Sequence, residues 1–85
     1  MLTDSEYDFF EYVCCNTNGL EFPASRRVEH AMKTLGISQA TYWRKVKSLI
    51  EKGFIHKLGR NYYELDKTKF DVLISEAHRL NKIKV

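Results

Sequence analysis

Residues 35–55 read LGISQATYWRKVKSLIEKGFI, and the spacing of their apolar and charged side chains leaves little choice of local structure. At roughly 100° per residue, Tyr42, Val46 and Leu49 fall on one side of a helix while Ala40, Arg44 and Lys47 fall on the other. A single helix must then seal a core with one face and carry charge outward on the other. Its limits are marked in the sequence. Ser38 is an N-cap residue whose hydroxyl accepts an orphan backbone N–H, and Gly53 takes the left-handed conformation that ends a helix. Thr41 stands where a capping box has Glu or Gln, so only half of that motif is present.

Charge is distributed unevenly around this helix. Residues 1–22 carry Asp4, Glu6, Asp8, Glu11 and Glu21 and no Lys or Arg, a net −5. Residues 23–63 carry Arg26, Arg27, Lys33, Arg44, Lys45, Lys47, Lys52, Lys57 and Arg60 against Glu29 and Glu51, a net +7, and residues 64–85 add only +1. Positive charge concentrated about one helix is the footprint expected for a polyanionic partner.

Eighty-five residues with 44% hydrophobic and 13% aromatic content suffice for one small core and are too few for two domains, so residues 1–85 read as one domain. No apolar run approaches the roughly 20 residues needed to cross a membrane, and the acidic start lacks the pattern of a signal peptide, which predicts a cytoplasmic protein. The adjacent Cys14 and Cys15 are poorly placed to bridge each other and read as structural or incidental thiols, in keeping with the preference of free Cys for buried sites. A metal centre would have to recruit His30, His56 or His78 from distant segments without a Cys-x-x-Cys or His-x-x-x-His spacing, so no metal or cofactor is expected.

In chain order, Thr3 and Glu6 form a T-x-x-E capping box, and Tyr7, Phe10, Val13 and Cys14 recur at helical spacing, predicting a first helix over 4–15. Asn16 to Gly19 form a turn, and 20–22 predict a short extended piece that pairs with a later hairpin. Val28, Ala31, Met32 and Leu35 predict a second helix over 25–35 that ends at Gly36. After Gly53, residues 54–58 and 62–65 read as a hairpin around Gly59-Arg60-Asn61, with Ile55, Tyr63 and Leu65 turned toward the helices and Lys57, Tyr62 and Glu64 left facing water or a partner. Asp66 caps a last helix over about 67–82, whose stripe of Phe70, Leu73, Ile74, Ala77 and Leu80 leaves Val72 and Ile83 to one side.

This sequence of elements, mainly α with a small β-hairpin in an α+β arrangement, resembles the winged helix-turn-helix family over roughly residues 4–65. The resemblance is carried by Leu35-Gly36-Ile37-Ser38 at the turn, Thr41 and Arg44 on the third helix, and Leu49 through Gly53-Phe54-Ile55 leading into the hairpin. It is similar to small bacterial, archaeal, viral and plasmid regulators, and departs from their pattern in bulky Tyr42 and Trp43. It implies that the helix over 39–52 enters the DNA major groove, with Gln39, Ala40, Trp43, Arg44 and Lys47 as contacts and the hairpin over 54–65 as the wing. The side-chain chemistry agrees: Arg pairs bidentately with guanine, Gln with adenine, and Ala meets a thymine methyl. Ser38 and Thr41 suit phosphate oxygens, which set register.

Other assignments stay open on sequence alone. Trp43 lies at the edge of the core face and either packs there or touches DNA. Arg26 and Arg27 oppose the dipole at the start of the second helix, a cost that a phosphate reverses, or they serve only solubility. His56 and Lys57 are either solvated strand residues or backbone contacts, with Arg60 at the tip suited to a minor groove. No Gly-rich phosphate loop, nucleophile motif or carboxylate pair beside a His points to an enzyme. The expected function is sequence-specific binding of double-stranded DNA by a transcriptional regulator, as a homodimer through the last helix. A protein-interaction module and an origin-binding replication protein are the alternatives.

Overall fold

The first helix, α1 (Asp4–Cys15), begins with the reciprocal cap that Thr3 and Glu6 predict. Thr3 Oγ1 accepts the Glu6 N–H at 3.2 Å, and Glu6 Oε1 accepts the Thr3 N–H at 2.9 Å. The computed structural model describes residues 2–79 of the chain. The buried face of α1 is wider than the predicted stripe, because Phe9 and Tyr12 are buried along with Phe10, Val13 and Cys14 while Tyr7 is only half-buried. Two other helices cover α1, and a helix with neighbours on two sides buries more than one stripe. Cys15, unlike Cys14, is exposed, so the expectation of buried thiols holds for only one of the pair.

Strand β1 (Glu21–Pro23) falls one residue later than the predicted 20–22 and ends on a proline. The missing N–H is tolerated because β1 is an edge strand. Pro23 also precedes α2 (Ala24–Leu35), which starts without a side-chain cap and ends at Gly36 with φ +65°. The next helix, α3 (Gln39–Glu51), is capped by Ser38, whose Oγ accepts the Thr41 N–H at 3.2 Å, and is closed by Gly53 at φ +84°. Its inner face is the expected one: Tyr42, Val46 and Leu49 are buried. Bulky Tyr42 acts as a bolt. Its ring meets Phe9 edge-on, with centroids 5.3 Å apart, and its hydroxyl donates to the Ala24 carbonyl at 2.8 Å, holding α3 to the start of α2.

Strands β2 (Ile55–Lys57) and β3 (Tyr62–Leu65) form the hairpin, and β1 pairs with the other edge of β3, giving an antiparallel sheet of order β1-β3-β2. Ile55, Tyr63 and Leu65 face the helices and are buried, as alternation predicts. Lys57 is in solvent as expected, but on the other side of the strand. It lies directly opposite Tyr63, which sets it on the inward side of the hairpin rather than with Tyr62 and Glu64, and it stays in solvent at the end of the strand. Glu21, Glu64 and His56 stand in one row across the outward side.

Asp66 joins hairpin to helix. One carboxylate oxygen is 2.7 Å from His56 Nε2 and the other accepts the Lys69 N–H at 3.1 Å, capping α4 (Lys67–Arg79). Both contacts hold the Asp66 carboxyl below its usual pKa, the His56 bond most of all. Leu73 is buried, Phe70 and Ile74 are half-buried and Val72 is exposed. The continuation of the stripe at Ala77 and Leu80, the position of Ile83 and the predicted helix end near 82 lie outside the described side chains. Four helices and three antiparallel strands among the described residues make an α+β fold, with Phe9, Phe10, Phe22, Tyr42, Leu49, Ile55 and Leu65 at its centre. No helix among the described residues is long and apolar enough to cross a membrane.

Candidate nucleic-acid interface

Burial of Tyr42, Val46 and Leu49 turns the opposite face of α3 to solvent, where Gln39, Ala40, Arg44 and Lys47 are exposed. Ser38 is exposed at the start of the helix and Thr41 is half-buried. Arg44 lies back along its own helix, 3.5 Å from both the Ala40 carbonyl and Thr41 Oγ1, contacts too long to hold a guanidinium in place. None of the three ion pairs among the described residues involves Arg44, Lys47, Lys57 or Arg60. Trp43 is half-buried and edge-on to Tyr42 at 5.1 Å, so its ring packs on the core margin while part of it remains at the surface.

The other cations predicted for the site stand on other elements. Lys57 and Arg60 are exposed on the hairpin, which begins four residues after α3 ends. Arg26 is exposed at the first turn of α2. Arg27 is half-buried, and its charge lies near enough to Tyr12 and Tyr42 to oppose the rise that burial causes in their hydroxyl pKa values. The two arginines are therefore not equivalent, and Arg26 is the better placed of them for a ligand.

One region of the surface was not evident from helical periodicity. The start of α1 and the adjoining face of α3 enclose a shallow concavity of about 310 Å³, lined by Thr3, Ser5, Glu6, Thr41, Arg44, Lys45 and Ser48. Lys45 Nζ donates to Ser5 Oγ at 2.7 Å across it. At its edge Glu6 accepts from Lys52 Nζ at 2.7 Å and from the Ser48 hydroxyl, which with the Thr3 N–H hold its carboxyl down at about 2. The acid in this concavity is thus paired with a lysine of its own. Thr41, Arg44 and Ser48 share one face of α3 at i, i+3, i+7 spacing, and only Ser5 joins them through tertiary contact, with no local pattern to announce it.

The chain matches no family model, no curated protein and no solved structure. What the surface can do must then follow from its own chemistry. Arg44 and Lys47 stand one turn apart on a rigid helix, flanked by Gln39 and Ala40, and offer donors, an amide and a methyl to a groove about one helix wide. The outward side of the sheet, where Glu21, Glu64 and the Asp66-bound His56 follow one another across the strands, offers nothing comparable to an anion. His30 is likewise occupied, bonded to the Tyr12 hydroxyl. No group of three His, Cys, Asp or Glu among the described residues is arranged to hold a metal ion. Burial pushes the Cys14 thiol up to about 12, away from the thiolate that ligation or nucleophilic attack requires.

Proposed function

We propose that this protein is a winged helix-turn-helix regulator that binds double-stranded DNA, with α3 in the major groove and the β2–β3 hairpin as the wing. The observation that carries the reading is the division of α3 into a buried face and an exposed face bearing Arg44 and Lys47 outside any ion pair among the described residues. Cations outside any ion pair among the described residues, on a helix fixed from behind, are suited to counterion release and base-edge contact. In this reading Gln39, Ala40 and Arg44 read bases, while Ser38, Thr41, Lys47 and the adjoining Ser5 and Lys45 meet phosphates. Lys57 and Arg60 follow the backbone into the neighbouring groove, Arg26 reaches a flanking phosphate, and Trp43 packs at the interface margin. The function is binding without catalysis, in the cytoplasm of a cell or of a viral host.

The test is selection from random duplex DNA followed by titration at several salt concentrations. A recovered consensus, with a log–log salt slope near −4 to −5 for roughly five neutralised phosphates, is the expected result. Arg44→Ala then relaxes preference at one base position, at a cost of about 1–3 kcal/mol, while Lys57→Ala weakens all sequences alike. Affinity that stays flat as salt rises replaces this reading with that of a protein-interaction module.

A further inference from the structure

Away from α3, the molecule has a second surface of different character. Tyr7 and Phe10 of α1, Phe54, and Leu73 of α4 line an open groove of about 270 Å³ whose walls are mostly apolar, with Val72 along its edge. Val72 is 57% exposed, and the only other large hydrophobics so exposed among the described residues, Leu58 and Tyr62, belong to the hairpin. The groove is smaller than the roughly 300–1,000 Å³ of pockets that enclose a drug-sized molecule, and suits side chains presented by a protein surface.

Its two charged ends identify the occupant. Lys69 lies over the Phe54 ring, 5.2 Å from the centroid, and Glu76 lines the groove together with Tyr7, whose hydroxyl pKa is raised by burial and by the charge of Glu76. Lys69, Val72, Leu73 and Glu76 follow i, i+3, i+4, i+7 spacing and so share one arc of α4. Lys69 and Glu76 are also equally distant from the midpoint between Val72 and Leu73, each about 5 Å from it along the helix axis. Turned by a two-fold axis through that midpoint, the arc meets its own complement: each Lys69 comes level with the partner's Glu76, and each Val72 with the partner's Leu73.

We infer that this groove is the seat of a second copy of the chain, with the two α4 helices antiparallel and crossing at Val72 and Leu73. Covering Val72 and the groove supplies the attraction, and the paired ends set the register, since charges at an interface rim select orientation more than they add affinity. Phe54 holds the Lys69 charge in place before association, so less ordering remains to be done. The pairing does not depend on what α3 binds.

Sedimentation of the full chain, with circular dichroism to check folding, tests it by charge exchange. The unaltered protein should be a dimer at tens of micromolar. Lys69→Glu alone and Glu76→Lys alone should each weaken the dimer roughly tenfold or more by setting like charges against each other at both ends. An equimolar mixture of these two variants should form a heterodimer, and the double exchange in one chain should restore the homodimer. Val72→Asp should leave a folded monomer. A monomeric unaltered protein, single variants that still dimerise, or folded variants whose mixture stays monomeric would overturn the proposal, and none of these results touches the affinity of α3 for a single DNA half-site.

Discussion

Tyr42, in the middle of α3, is buried, stands edge-on to Phe9 and donates its hydroxyl hydrogen to the Ala24 carbonyl, whereas Tyr62, at the start of β3, is 51% exposed and lies beside the equally exposed Leu58. The first tyrosine joins three helices. The second is held through its backbone, whose carbonyl accepts the Leu58 and Gly59 N–H groups at 2.9 and 3.2 Å. At the helical end side chains specify the fold, and at the hairpin end the main chain does. Side chains at the hairpin end are therefore available to change what the molecule touches without changing what it is.

That contrast can be broken by mutation, and the largest test is at its root. Phe9→Ala removes a fully buried ring against which Tyr42 packs, and should cost about 3–5 kcal/mol in urea denaturation, enough to threaten folding in a domain of this size. Tyr42→Phe keeps the ring and removes one buried hydrogen bond, for an expected loss of about 0.5–1.5 kcal/mol.

Acid reaches a third site, with an effect that grows only as pH falls. The Glu6 carboxyl is held near 2 in the folded protein against an ordinary 4.5, chiefly by Lys52 and then by Ser48 and the Thr3 backbone. A lowered folded pKa means that its contribution is complete above about 4.5 and is lost as pH drops toward about 2. Urea midpoints measured across that window should fall less steeply for Glu6→Gln than for the unaltered chain; equal slopes would show that the cluster does not tie α1 to α3. The smallest effects belong to the hairpin end. Tyr62→Phe and Leu58→Ser should each lie within about 0.5 kcal/mol of the unaltered protein. A loss at Tyr62 as large as that at Tyr42 would erase the distinction between the two ends.

Local signals proved readable wherever a residue's role is played within one turn of itself. The Thr3–Glu6 box, the Ser38 cap, the glycine stops at 36 and 53 and the buried run of Tyr42, Val46 and Leu49 all stand as their spacing indicates. Glu6 illustrates the limit. Its bond to the Thr3 N–H is a sequence pattern, but its bonds to Ser48 and Lys52 join residues more than forty positions apart, and nothing in either segment points to the other. Phe9 and Tyr12 escape the single stripe because α1 packs against more than one other helix, whereas the side of Lys57 was legible all along, since strict alternation sets it with Ile55, two residues before it. The same division runs through the candidate site. The outward row of α3 follows from periodicity alone, whereas the contribution of Ser5 and Lys45 needs the fold.

The sheet order also has a consequence in time. The central strand β3 has one neighbour, β2, only a few residues away and another, β1, about forty residues earlier in the chain, so its two edges close at very different entropic cost. A short hairpin forms in roughly 1–10 μs, while joining β1 requires the intervening α2 and α3 to bring Pro23 back beside Tyr62. During synthesis, β1 therefore leaves the ribosome well before the strand it must pair with. It waits as an unpaired segment, too short and too proline-bound at its end to recruit a wrong neighbour in the meantime.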